Sequence, residues 1–239
     1  ESESESGSPS DLPPALRPTL TSPAEAEDLD PAPDVVRVTL RAAPHAFEVA
    51  GEPVEGWAYE QQVPGPTIRA KRGDTLIVTL DNQLPDPTSI HWHGVHVPFA
   101  MDGAVWQGQA PVPPGETFEY TFTLEQVGTY WYHPHVDTHR QVDLGLYGVI
   151  VIEDPDDPPA DRELVLVLDA WAEHDEREGG GGHLVARPDL DAQRPRHGID
   201  ELPDWTVNGL LDPVFPASAG DAPAGDPRSL IILILAEKQ

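Results

Sequence analysis

Arg72-Gly73-Asp74-Thr75-Leu76-Ile77-Val78-Thr79-Leu80 reads as a turn followed by a strand. The glycine between two charged residues reverses the chain, and Leu76, Val78 and Leu80 then recur at every second position, which puts them on one face of an extended segment. Upstream, Val36, Val38 and Leu40 keep the same period; downstream, Phe118, Tyr120, Phe122 and Leu124 keep it after the turn Pro113-Pro114-Gly115. Leu146 to Ile152 is a continuous apolar run, suited to a strand covered on both faces, and Glu153-Asp154-Pro155 stops it. Residues 35–155 therefore read as one all-β unit, an antiparallel sandwich near the size of about 100 residues usual for such domains.

The flanks differ. Residues 1–34 open with a Ser/Glu alternation and continue through Pro, Ala, Asp and Glu, so they predict a disordered acidic lead-in that buries too little surface to offset its ordering entropy. That segment has neither the basic start nor the apolar core of a signal peptide, and its opening Glu1 suggests a mature form or a fragment. Residues 156–239 begin with the linker Asp156-Asp157-Pro158-Pro159. They offer three strand candidates, Leu164 to Leu168, Trp205 to Gly209 and Leu230 to Leu235, separated by a Gly-, Asp- and Pro-rich stretch. Three strands with long connections make a poor independent core, so this region predicts an incomplete second domain.

Composition removes several functions. With 14 Lys+Arg against 42 Asp+Glu, the formal charge is −28, which repels phosphate backbones and argues against nucleic-acid binding. The longest uninterrupted apolar stretch, Leu230 to Ala236, is far short of the roughly 20 residues a membrane span needs. The 28 Pro and 20 Gly disfavour long helices. The sequence has no cysteine, which excludes disulfides, iron–sulfur ligation, thiolate zinc sites and thiol nucleophiles together.

Six of the ten histidines, His91, His93, His96, His133, His135 and His139, crowd into residues 91–139. Four of them form two His-x-His triplets, His91-Trp92-His93 and His133-Pro134-His135. Residues i and i+2 of a strand share a face about 6.6 to 7 Å apart, and neighbouring strands lie about 4.8 Å apart, so two triplets on adjacent strands would bring four imidazoles to one layer. Such a layer is a metal site. Imidazole without thiolate or paired carboxylates points to copper or zinc. Clustered rings also repel one another's protonated forms and so stay free to ligate.

A wider set of motifs accompanies the triplets: Pro64-Gly65-Pro66-Thr67-Ile68, Arg72-Gly73-Asp74, His91-Trp92-His93-Gly94, Met101-Asp102-Gly103, Pro114-Gly115-Glu116, Gly128-Thr129-Tyr130-Trp131-Tyr132-His133-Pro134-His135 and Gly145-Leu146-Tyr147-Gly148. Together they resemble the first plastocyanin-like (cupredoxin) domain of a laccase-like multicopper oxidase, and the likeness is closest over residues 45–155. Beyond 155 it rests on Leu166-Val167-Leu168-Asp169 and Val207-Asn208-Gly209. The resemblance implies a cupredoxin-like Greek-key β-sandwich at 35–155, followed by a partial second cupredoxin-like domain at 156–239. It implies half the ligands of a trinuclear copper cluster that reduces dioxygen to water, with His91 on the type 2 copper and His93, His133 and His135 on the paired type 3 coppers. Asp102 would be the carboxylate that assists proton delivery. The partners implied are dioxygen and a small reducing substrate, phenol-like or a metal ion. The family takes its type 1 copper and the other cluster ligands from a C-terminal domain with a His-Cys-His motif. With no cysteine here, that domain or a second chain would have to complete the site. Secreted, periplasmic or cell-surface placement follows from the family's exported members.

Two other readings stand beside this one: a copper-binding or copper-storage module without turnover, and a zinc hydrolase using Asp102 as base. His96 and His139 read as neighbours of the site or surface residues, His45 as structural, and His174, His183 and His197 as loop residues in solvent. Trp92 and Trp131 are expected to pack around the metal layer.

Overall fold

The structure, a computed structural model, describes residues 20–49, 52–105, 108–158, 162–171, 204–211 and 229–236. Two four-stranded sheets form the first unit. One contains β1 (Val35–Val49), β2 (Glu52–Tyr59), β4 (Thr75–Asn82) and β6 (Thr117–Thr123) in the order β2-β1-β4-β6. The other contains β3 (Gly65–Lys71), β5 (His91–His93), β7 (Gly128–His133) and β8 (Gly148–Glu153) in the order β3-β8-β7-β5. This is the all-β sandwich of the cupredoxin-like fold. It is not purely antiparallel: β1 pairs with β4, and β3 with β8, in parallel. Connections that cross between the layers set strands distant in sequence side by side, an arrangement that alternation along single strands does not report.

The period-two pattern does its expected work. Leu40, Leu76, Val78, Leu80, Tyr120 and Phe122 bury one face of the first sheet against Ile68, Trp92, Tyr132, Ile150 and Ile152 of the second. Leu80 is fully buried. Truncating it, Leu80→Ala, is expected to cost about 2 to 5 kcal/mol through lost transfer energy and the cavity left behind, read as a shift in the urea midpoint.

β8 explains the continuous apolar run. Ile150 and Ile152 face the sandwich core, whereas Val149 and Val151 pack with Val142, Tyr147, Val165 and Val167 in a second cluster. Val165 and Val167 belong to β9 (Arg162–Trp171), which lies in a third sheet with β10 (Asp204–Val207), β11 (Leu210–Leu211) and β12 (Ser229–Ala236), ordered β11-β10-β9-β12. Asn208 and Gly209, both with positive φ (52° and 77°), make the two-residue turn between β10 and β11, as an Asn-Gly hairpin requires. The strand candidates at 164–168 and 230–235 fall within β9 and β12, whereas that at 205–209 is strand only to Val207 in β10, its Asn208-Gly209 end being the turn. The second sheet of the sandwich and the third sheet share buried residues across the expected linker.

The lead-in departs from its expected boundary. Residues 1–19 lie outside the described residues, but Leu20 is 1% exposed, and the chain from Thr21 onward is tied to the body. Thr67 N–H donates to the Ala24 carbonyl at 2.8 Å and Ala26 N–H to the Thr67 carbonyl at 2.9 Å. The Ser22 hydroxyl accepts from Val165 N–H at 2.9 Å. Arg69 gathers Glu25, Glu153 and Glu163 about one guanidinium, joining lead-in, sandwich and β9. A lone Leu20 and a few backbone pairs suffice because the surface they add to is already built.

Candidate metal centre

β5 and β7 pair antiparallel with His91 opposite His133, Trp92 opposite Tyr132 and His93 opposite Trp131. Alternation then sorts the side chains: Trp92 and Tyr132 enter the core, where both are fully buried, while His91, His93, Trp131 and His133 share the other face. Trp92 packs edge-on against Tyr120 and Phe122 with centroids 5.5 and 5.2 Å away. Trp131 stacks on His133 at 4.0 Å and lies 4.9 Å from His93. The aromatic residues inside and beside the triplets therefore hold the rings from both sides of the sheet.

The ligand-capable nitrogens of His91, His93 and His133 all lie within 4.8 Å of one another. The ring of His135 has its centroid 5.0 Å from that of His91 and 6.2 Å from that of His133. It is not a strand neighbour, because β7 ends at His133 and His135 follows Pro134 beyond the ladder. The expected layer of four is thus three rings set by strand register and a fourth brought in by the loop. His96 and His139 are exposed; His45 lies beside Phe47 on β1. His174, His183 and His197 lie outside the described residues.

Hydrogen bonds select the tautomers. His91 Nδ1 lies 2.7 Å from the Asp102 carbonyl oxygen, and His133 Nδ1 lies 2.8 Å from the Pro134 carbonyl oxygen. A carbonyl can only accept, so both Nδ1 atoms carry the proton and both Nε2 atoms present lone pairs. His93 Nδ1 sits 3.2 Å from His133 Nε2. Two ring nitrogens at that separation fit one ion bound at about 2.0 to 2.1 Å from each, the usual metal–imidazole distance. The donor set, all imidazole with no thiolate, accommodates copper as it does zinc. The residues fit the metal.

His133 is pushed down to about 3, chiefly by burial and in addition by the neighbouring His91, His93 and His135, against the raising effect of its bond to Pro134. His93 is lowered by burial and then by His91 and His135. Between pH 6.5 and about 3 the unfolded chain binds a proton at His133 that the folded chain refuses, so stability falls as pH falls through that window. Urea titrations of chelator-treated protein at pH 7 and pH 5 are expected to show this loss, and a His133→Asn variant is expected to lose less.

Sequence reasoning missed three residues. Ser89 and Thr88, both fully buried, and Gln141, 1% exposed on the helix α1 (Thr138–Asp143), form a polar network around the loop after β7. Nothing in their spacing signals a site. Asp102 approaches His91 with two groups. Its backbone carbonyl holds His91 at 2.7 Å, while its carboxylate stands 3.5 Å from the same nitrogen.

The family model described as multicopper oxidase matches residues 42–157, the stretch that contains both triplets and the sandwich. Residues 42–157 are a multicopper oxidase domain. Over 139 residues the chain is 41% identical to multicopper oxidase MmcO of Mycobacterium tuberculosis, covering 58% of this chain and 27% of that protein. Over 130 residues it is 38% identical to copper resistance protein A of Escherichia coli, covering 54% of this chain and 21% of that one. A solved laccase of Pediococcus acidilactici aligns over 83% of this chain and 43% of its own, with 28% identity and a TM-score of 0.63. The chain thus spans 27% and 21% of the length of these two curated relatives. Within the multicopper oxidase domain, His91, His93 and His133 share one face of the β5–β7 pair, and the His135 ring lies 5.0 Å from that of His91 beyond the end of β7.

Proposed function

We propose that this chain is the N-terminal part of a copper-dependent oxidase and supplies His91, His93, His133 and His135 as half the ligands of a trinuclear copper cluster. The observation that carries the reading is the 3.2 Å approach of His93 Nδ1 to His133 Nε2, with His91 within 4.8 Å of both. His91 is assigned to the type 2 ion and the other three to the type 3 pair. The chemistry supplied by bound copper is one-electron transfer, four steps of which, with four protons, turn dioxygen into two waters. The chain's own residues provide the rest. The Asp102 and Pro134 carbonyls hold two rings in the ligating tautomer, and Trp131 shields the His93 and His133 rings on one side. The Asp102 carboxylate, 3.5 Å from His91 Nδ1 and 32% exposed, reaches both solvent and the ring and passes protons inward.

The electron donor is a small reducing substrate, phenol-like or a metal ion. With no cysteine among the 239 residues, a type 1 copper and the remaining ligands come from another cupredoxin domain or a second chain. The compartment is secreted, periplasmic or cell-surface, in keeping with the resemblance; no helix among the described residues is long and apolar enough to cross a membrane. A second reading, copper storage or delivery without turnover, is favoured by the exposure of His93 and His135, which leaves the ions open to exchange.

Metal analysis, EPR and an oxygen electrode test these readings together. The half-site reading expects copper retained by the triplets, a bound total above one per chain, and no oxygen uptake with phenols or Fe(II) by this chain alone. Sustained four-electron oxygen reduction by the isolated chain would overturn the half-site assignment. One fully EPR-visible copper, yielded rapidly to a chelator, would favour storage, and no copper retention at all would defeat both.

A further inference from the structure

His135 poses a positioning problem that the sheet does not solve. The β5–β7 ladder has its last pair at His91 and His133, Pro134 has no N–H to extend it, and the His135 side chain is exposed. An imidazole so placed would sweep a wide volume unless its backbone were anchored. One anchor is present: His135 N–H donates to the Ser89 hydroxyl at 3.1 Å.

That hydroxyl is well placed to act. Ser89 is fully buried, so no water competes for its oxygen, and it stands two residues before His91, the ring closest to that of His135. Its own position is set from both sides. Thr88 exchanges backbone hydrogen bonds with Val112 at 3.0 and 2.8 Å, and Ile90 N–H donates to the Tyr120 hydroxyl at 2.8 Å. The Thr88 hydroxyl donates to Gln141 Oε1 at 2.7 Å, and Gln141 Nε2 donates to the Pro87 carbonyl at 2.9 Å. Gln141 lies on α1, just downstream of His135, so the segment entering the first triplet and the helix leaving the second are fastened to each other around it.

We infer that Ser89 is the positioning residue for His135: its hydroxyl, carried on a backbone that Thr88 and Gln141 anchor, fixes the fourth imidazole against the three that the strands already align. The inference rests on the reading of His135 as a copper ligand. Removing a group that orients a metal ligand typically costs about 10- to 100-fold in metal affinity. Ser89 therefore controls copper binding through His135 alone, leaving His91, His93 and His133 in register.

The test is a Cu(II) titration of the full chain by competition with a chromophoric chelator, run as a double-mutant cycle. Ser89→Ala is expected to weaken copper binding about 10- to 100-fold, as His135→Ala does; Ser89→Thr, which keeps the hydroxyl, restores it. In the His135→Ala background, Ser89→Ala is expected to add no further loss. An equal loss in both backgrounds would make Ser89 a general structural residue and overturn the inference. So would full affinity in Ser89→Ala alongside a loss in His135→Ala, which leaves the ligand reading intact. Full affinity in His135→Ala would remove the ligand reading and the inference with it. Amide hydrogen exchange of the copper-free wild-type chain decides the matter if Ser89→Ala does not fold. A protected His135 amide supports the bond to Ser89, and one exchanging like open chain overturns it.

Discussion

His133→Ala is expected to lower Cu(II) affinity by more than the roughly 100-fold that marks the upper end for residues that only orient a ligand. His133 is the hinge of the site: its Nε2 lies 3.2 Å from His93 Nδ1, it faces His91 across the β5–β7 ladder, and it is the only buried ring of the four, at 4% exposure. Burial also holds its ring neutral down to about pH 3, so at neutral pH no proton must leave before a metal binds. The loss is expected to be larger than that of His135→Ala, whose ring lies beyond the ladder. Chelator competition at pH 7 measures both. Circular dichroism separates lost ligation from lost fold, because the sandwich core under Trp92 and Tyr132 is untouched. Equal affinities of wild type and His133→Ala would show that copper binds elsewhere.

Gly103→Ala is expected to cost more than about 4 kcal/mol of stability, a size reached only when a substitution meets backbone that cannot move. Gly103 has φ +75°, a region that strains any residue with a Cβ. A Cβ there would overlap the Ile90 carbonyl and crowd the His91 amide nitrogen at 2.7 Å. The neighbour on the other side is Asp102, whose carbonyl holds His91 Nδ1, so the displaced backbone carries the copper site with it. Gly115→Ala supplies the comparison: φ is +78°, yet nothing lies within 4 Å of its Cβ position. That variant is expected to lose about 1 to 2 kcal/mol, the left-handed cost alone. Urea denaturation of the pair isolates the overlap, and similar losses in the two would show that the approach to Ile90 relaxes freely.

How much of this was legible in the chain differs from element to element. Leu76, Val78 and Leu80 announce their strand because a sheet with one buried face demands apolar residues at period two. Leu146 to Ile152 announced a strand covered on both faces, and β8 has Val149 and Val151 on one side and Ile150 and Ile152 on the other. The parallel pairing of β1 with β4 was not legible, since period two is the same whichever way a neighbour runs. Leu20 to Pro33 looked structureless because its contacts, backbone hydrogen bonds to Thr67, the Ser22 bond to Val165 and the Glu25–Arg69 ion pair, are made with residues far along the chain, which composition does not record.

The site divides in the same way. The residue types and the two His-x-His spacings are local properties, and from them alone came a site for copper or zinc, the donor chemistry and the face that strand alternation would expose. Which three rings close to within 4.8 Å depended on the β5–β7 register. The tautomers depended on the Asp102 and Pro134 carbonyls, and the hold on His135 depended on Ser89. Side-chain identity sets what an atom can bind. Only the folded chain, by bringing groups 40 and more residues apart to hydrogen-bond distance, decides which lone pairs point at a common centre.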